Sequence, residues 1–356
     1  MKLVSILLAG VILSFQTVAM PASYTNENYD FDAVVAGIDM SERLRAGDNP
    51  AEEDWGVFFS HEAYQLVFSI SGLSQAQLKQ RYLHAFHPEY IPLVDGLAAS
   101  EKHEVLHLRA SAADLSWLAG YQQALPGNKV VEASINLAQQ YLPESQNGLP
   151  PITFVYGLFG QNAFASGQGV VLDAYLAFLF DAVAPNRLAA HELHHYLYDK
   201  GLQGRPLDQQ NPFERVLYHI QKEGVANLID KEFLLLDSSP FSEDLKDWFK
   251  ASMQDADANL KLLDQMIGEA VRTGREIEFA ELQKALPLWG HSLGWYMTRT
   301  IDSAGMRPAL IEATMNPFTL FSAYNRAVEM LGTDQATFSD ATLALYARLA
   351  QEKQVQ

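Results

Sequence analysis

The chain has 356 residues, no cysteine, and 25 Lys and Arg against 43 Asp and Glu, a formal net charge of −18 at pH 7. That acidity argues against nucleic acid as a partner, because phosphate contacts need clustered cations. The absence of cysteine excludes a disulfide framework, a thiolate nucleophile and a lipidated cysteine anchor, so the fold must rest on its apolar core.

The N-terminus reads as an export signal. Lys2 is followed by an apolar run from Leu3 to Phe15, and Thr17-Val18-Ala19 or Met20-Pro21-Ala22 offers a small-residue cleavage site. Residues 1–22 are therefore expected to be a signal peptide, too short for a comfortable span, which leaves a periplasmic or secreted protein with no stable membrane insertion. Residues 23–147 read as a helical N-terminal region. Phe31 to Leu44 has helical apolar spacing, Gly47-Asp48-Asn49-Pro50 breaks it, and further helices are expected at 61–71, 75–87, 111–124 and 131–142. His61, His84, His87, His103 and His107 are scattered through it and read as surface or core-edge residues.

Character changes at Asn147-Gly148-Leu149-Pro150-Pro151, so residues 148–356 form the second expected unit. Ile152 to Tyr156 is β-branched and aromatic and predicts a strand; after a glycine-bounded connection from Gly157 to Gly167, Gly169 to Asp173 predicts another. A helix is predicted from Asn186, as its cap, to Lys200, with Gly201 as its stop. It carries His191-Glu192-Leu193-His194-His195, an HExxH pattern. Positions i and i+4 share a helix face, so His191 and His195 can hold one zinc ion, and Glu192 is placed to take a proton from the water that the ion activates. His194 is rotated about 100° from each neighbour and should miss the metal. Asp199 is a weaker candidate for contact with a ligand histidine.

A catalytic zinc needs a third protein ligand. The continuation that would supply a histidine at position 201 is absent, since Tyr198 and Gly201 occupy its key positions. Pro212 to Asp230 is a strong helical stretch with two candidate glutamates, Glu214 and Glu223. Glu223 is preferred: Gly224 permits close helix approach, and Asn227 and Asp230 share its face, where they can hold the outer ring N–H of His191 or His195.

These residues carry a resemblance. His191-Glu-Leu-His-His195 followed by Glu223-Gly-Val-Ala-Asn-Leu-Ile-Asp230 resembles the gluzincin metallopeptidases, and more narrowly a bacterial family of zinc-dependent peptidases with an HExxH…EGxAxLID pattern. The resemblance extends over about 148–332, including Leu288 to Met297 and Tyr324-Asn-Arg-Ala. It implies a zincin-like catalytic core, one catalytic zinc, peptide-bond hydrolysis of a peptide or protein substrate, and a strand near the cleft on which an extended peptide can add. Asn227 stands where better-studied relatives often carry an acid, and Asp230 is the residue that can replace it. The same resemblance places a His or Tyr on a late helix to steady the oxyanion; His291 and Tyr296, on the glycine-punctuated Gly290-His-Ser-Leu-Gly-Trp-Tyr, are the candidates, with Tyr324 behind them. The expected architecture is α+β and mostly α, a small sheet over the motif helix with a helical C-terminal lobe at about 242–270, 290–304, 306–314, 317–331 and 339–352. An exported zinc peptidase is the expected function. The alternatives are another zinc-dependent amide or ester hydrolase, or an inactive binding protein of the same fold; an intact Glu192 counts against the last.

Overall fold

The computed structural model describes residues 25–26, 28–127, 129–143, 152–201, 207–208, 210–237, 239, 241 and 243–355. The leader expected over 1–22 and the boundary expected near 147 lie outside the described residues. Two short strands, β1 (Thr25–Asn26) and β2 (Tyr29–Asp30), lead into α1 (Asp32–Arg45), α2 (Glu52–Phe59), α3 (Glu62–Ser71), α4 (Gln75–Phe86), α5 (Ala99–Ser111), α6 (Ser116–Gly127) and α7 (Val130–Gln139). Then come β3 (Phe154–Gly157), β4 (Ala163–Ser166) and β5 (Gly169–Asp173), followed by α8 (Ala174–Asp181), α9 (Arg187–Gly201) and α10 (Pro212–Leu234). The remainder is helical: α11 (Glu243–Gln254), α12 (Ala256–Thr273), α13 (Phe279–Leu282), α14 (His291–Ser303), α15 (Arg307–Met315), α16 (Leu320–Leu331) and α17 (Asp340–Val355). The fold is α+β, mostly α, with one small sheet.

That sheet runs in the order β1-β2-β3-β5-β4. The strands expected at 152–156 and 169–173 pair with each other in parallel, Phe154 opposite Val170 and Tyr156 opposite Leu172. The hairpin is β4–β5, antiparallel, with Ser166 opposite Gly169 across the two residues Gly167 and Gln168. β4 falls in the stretch expected to be a connection. Ala-Phe-Ala-Ser has little β-branched or aromatic content, and strand formation there follows from the tight turn and from pairing with the apolar β5. Two helical expectations also change. The helix expected at 111–124 begins only at Ser116, with α5 standing separately before it, and the one expected at 242–270 is interrupted at Asp255 between α11 and α12.

The N-terminal helices share a core with the sheet. Phe31 stacks on Tyr156 at 4.3 Å, and Tyr82 donates to the Leu158 carbonyl at 2.8 Å. One buried apolar cluster runs from Tyr29 to Phe241, across position 147, and a second runs from Val216 to Leu349. The two meet along α10, whose Leu234 belongs to the first and whose Val216, Leu217 and Ile220 belong to the second. A cleft opens where they meet.

Candidate metal centre and its cleft

Helix α9 is built to be buried. Leu188, Leu193 and Leu197 pack inward, and the whole motif from His191 to His195 is within a few per cent of complete burial. The expected Asn186 cap is not made: Asn186 takes a left-handed backbone, φ 66°, and its side-chain oxygen has no partner. Its backbone carbonyl accepts from Ala190 N at 2.9 Å, and its own N–H is taken by Asp181 Oδ1 at 2.8 Å. Arg187 then ties α9 to α10, donating to the Ile229 carbonyl at 2.5 Å and lying 4.0 Å over the Phe233 ring.

Helix α10 starts firmly. Asn211 accepts from the N–H groups of Phe213 and Glu214 at 3.0 and 3.3 Å, and Pro212 stands in the first turn. Three turns along, Glu223 meets both motif histidines. Its Oε2 lies 3.2 Å from His195 Nε2 and 3.9 Å from His191 Nε2, and one ligand atom from each of the three residues lies within 4.8 Å of the others. Although His195 Nε2 and His291 Nδ1 both approach Glu223 Oε2 to 3.2 Å, neither meets it in hydrogen-bonding geometry, and that buried oxygen stays unpartnered. Converging electron pairs with no proton between them suit a cation, and two imidazoles with one carboxylate are a donor set used for catalytic zinc. Burial alone would raise the Glu223 carboxyl, but the surrounding histidines hold it well below the usual range.

Asp230 Oδ1 stands 2.9 Å from His191 Nδ1 and fixes that ring, while its Oδ2 accepts from Lys231 at 2.6 Å. Burial opposes ionisation of Asp230, yet His191 and Lys231 hold its pKa down to about 2. Asn227 does not reach a motif histidine. It turns to the late helix, its Nδ2 donating to the His291 carbonyl at 3.0 Å and its Oδ1 lying 3.4 Å from His291 Nδ1. His195 Nδ1 accordingly has no protein partner among the described residues. Glu214 lies elsewhere, taking the Asp208 N–H at 2.6 Å and Lys353 at 3.2 Å.

Of the two residues expected on the late helix, one arrives. His291 reaches Glu223 because α14 and α10 touch backbone to backbone: a Cβ on Gly224 would stand 2.6 Å from the Gly294 carbonyl. Thr298 seals the crossing with a 2.7 Å bond to the Gly224 carbonyl. Burial lowers the His291 pKa to about 4 against the pull of Glu223, so the ring is neutral near pH 7. Tyr296 does not join the site. Five residues on, it is turned about 140° around the helix, and its hydroxyl donates to Asp257 at 3.3 Å. Tyr324 is buried in the second core, bonded to the Ala336 carbonyl. His194 is fully buried, stacked beside Tyr198 and away from the cleft lining, and Asp199 binds Tyr218 and Lys222 rather than a ligand histidine.

Glu192 faces the cleft beside these groups. Burial raises its pKa to about 7, with His195 opposing and Glu223 adding to the rise. A carboxyl balanced there can both accept and return a proton near neutral pH. The cleft, of roughly 590 Å³, is lined by Ala163, Phe164 and Ala165 of β4 and by His219, Trp289 and His291. β4 is the outermost strand, with one strand neighbour among the described residues. Sequence reasoning missed β4, Lys231 and Trp289; only the Gly167-Gln168 pair before an apolar run signals the first. Trp289 sits on a strained turn: Leu288 and Trp289 have φ of 56° and 54°, ahead of Gly290 at 90°. Left-handed backbone costs a residue with a side chain about 1–2 kcal/mol.

Residues 55–333 match a family described as "Putative zinc dependent peptidase (DUF5700)". No curated protein and no solved structure matches the chain.

Proposed function

The chain belongs to this family of zinc-dependent peptidases, and from its cleft we propose that it hydrolyses peptide bonds with a gluzincin-type centre. The observation that carries the reading is the convergence of His191, His195 and Glu223 beside the raised carboxyl of Glu192, in a cleft bounded by a sheet edge. His191, His195 and Glu223 would hold a single zinc ion, which would supply a Lewis acid and acidify a water. Glu192 takes the proton from that water and returns it to the leaving amine. Asp230 keeps His191 oriented, its carboxylate on Nδ1 leaving Nε2 for the metal.

His291 is the residue we assign to the oxyanion. Its Nδ1 lies 3.2 Å from Glu223 Oε2 and 3.4 Å from Asn227 Oδ1, which places the ring beside the metal-binding carboxylate. Neutral near pH 7, the ring carries one N–H, which it donates to the substrate oxygen as negative charge develops there. The peptide lies extended along β4, adding a strand through that strand's free edge. We also propose export, on the strength of residues 1–22; among the described residues no helix is long and apolar enough to cross a membrane.

The test is cleavage of a mixed proteome-derived peptide library, read by mass spectrometry as new termini. Zinc-loaded protein should generate them; chelated protein and Glu192→Gln should not. Cleavage that persists at full rate in the chelated sample would remove the metal from the reaction. No cleavage by the zinc-loaded wild type, with turnover of small amides or esters instead, would replace the peptidase reading.

A further inference from the structure

Trp289 is a large apolar side chain left 51% exposed, on a backbone with φ 54° and ψ 29°, at the lip of the metal cleft and two residues before His291. Neither feature serves the core. The ring is nonetheless held in place: its centroid is 5.7 Å from the His219 ring and 6.5 Å from Phe279, to which it lies nearly parallel, and His219 and Phe279 are 5.5 Å apart. His219 also lines the cleft, and burial keeps it neutral by lowering its pKa to about 4.

We propose that Trp289 and His219 form a specificity shelf that binds an aromatic side chain of the peptide substrate near the scissile bond. The inference rests on the peptidase reading above and names the substrate class for that site. A flat, supported ring face whose outer side is open suits another ring, by offset stacking. A cationic side chain is disfavoured, because the neighbouring ring faces already carry cations: the Arg215 guanidinium is 4.1 Å over Phe279 and the Lys222 ammonium is 5.2 Å over Tyr218. The strained turn has a reason on this account. It presents the indole to the cleft while delivering His291 to Glu223 in the next turn.

The experiment walks Phe, Leu, Lys and Ala through one position at a time of an otherwise fixed peptide, and compares kcat/KM for wild type, Trp289→Ala and Trp289→Phe, with bound zinc measured for each. At one position wild type should prefer Phe to Ala by about tenfold. Trp289→Ala should reduce that ratio to near unity with zinc content unchanged, and Trp289→Phe should retain most of it. An unchanged ratio in Trp289→Ala overturns the shelf, as does a preference for Lys, or a uniform fall for all peptides with the ratio preserved, which is what a damaged centre produces. No cleavage of any peptide by wild type contradicts the peptidase reading and takes the shelf with it; cleavage without aromatic preference overturns the shelf alone.

Discussion

At the scale of single residues, the site separates chemistry from binding. Glu192 lies outside the ligand set, so Glu192→Gln should keep its zinc and lose activity by at least 10²–10⁴-fold, the range for removing a positioned base; metal content and turnover measured on one sample check it. His291→Ala should also retain zinc while kcat falls about 10²–10³-fold. A kcat within threefold of wild type would remove the oxyanion assignment. Asp181 gives a prediction about stability. Burial raises its pKa from 3.8 to about 6, only partly offset by the Asn186 N–H and the Tyr121 hydroxyl that it accepts. The folded state therefore holds that proton more tightly than the unfolded chain does. Its contribution favours folding at low pH and is lost as pH rises from about 4 to about 6. Asp181→Asn should be more stable than wild type at pH 7, by about 1–3 kcal/mol, with the difference shrinking toward pH 4. Urea titrations with parallel pH profiles for the two proteins would contradict the assignment.

At the scale of elements, the site depends on one helix crossing. Gly224 and Gly294 let α10 and α14 meet at backbone distance, and every contact between His291 and the Glu223 helix follows from that. Gly224→Ala should force the helices apart, destabilising the fold by about 1–3 kcal/mol. It should reduce turnover further than stability alone explains, because Glu223 and His291 move together; activity compared at matched folded fraction separates the two effects. The same crossing explains what was legible in the sequence. Within one helix, spacing converts directly to facing, so His191 with His195, and Glu223 with Asp230, could be placed from position alone. Asn227 was assigned to a motif histidine because it shares that face, but its partner is chosen by a distant helix that spacing does not locate. Tyr296 failed for the complementary reason: the crossing at Gly294 settles which face of α14 meets α10, and Tyr296 lies off it. β4 was missed because pairing, rather than its own composition, makes it a strand.

For the whole molecule, the composition and helical periodicity were enough to give a mostly α fold with a small sheet, but not where its core divides. The buried clusters divide along α10, which no local signal announces. The proposed metal site lies on that seam, and its three candidate ligands, His191, His195 and Glu223, come from α9 and α10. Neither buried cluster includes a proposed ligand, so removing the metal should leave far-UV circular dichroism nearly unchanged and lower the melting temperature by several degrees; metal at a hundredfold excess over Kd contributes about 2.7 kcal/mol. Collapse of the helical signal on chelation would show that the centre is structural rather than catalytic.

The most direct test of the account is a zinc titration of wild type, His195→Ala, Glu223→Ala and Glu214→Ala. One ion per chain is predicted for wild type and Glu214→Ala, with affinity reduced at least a hundredfold in His195→Ala and Glu223→Ala. Full, tight occupancy in Glu223→Ala would contradict the three-ligand centre on which the proposed function stands.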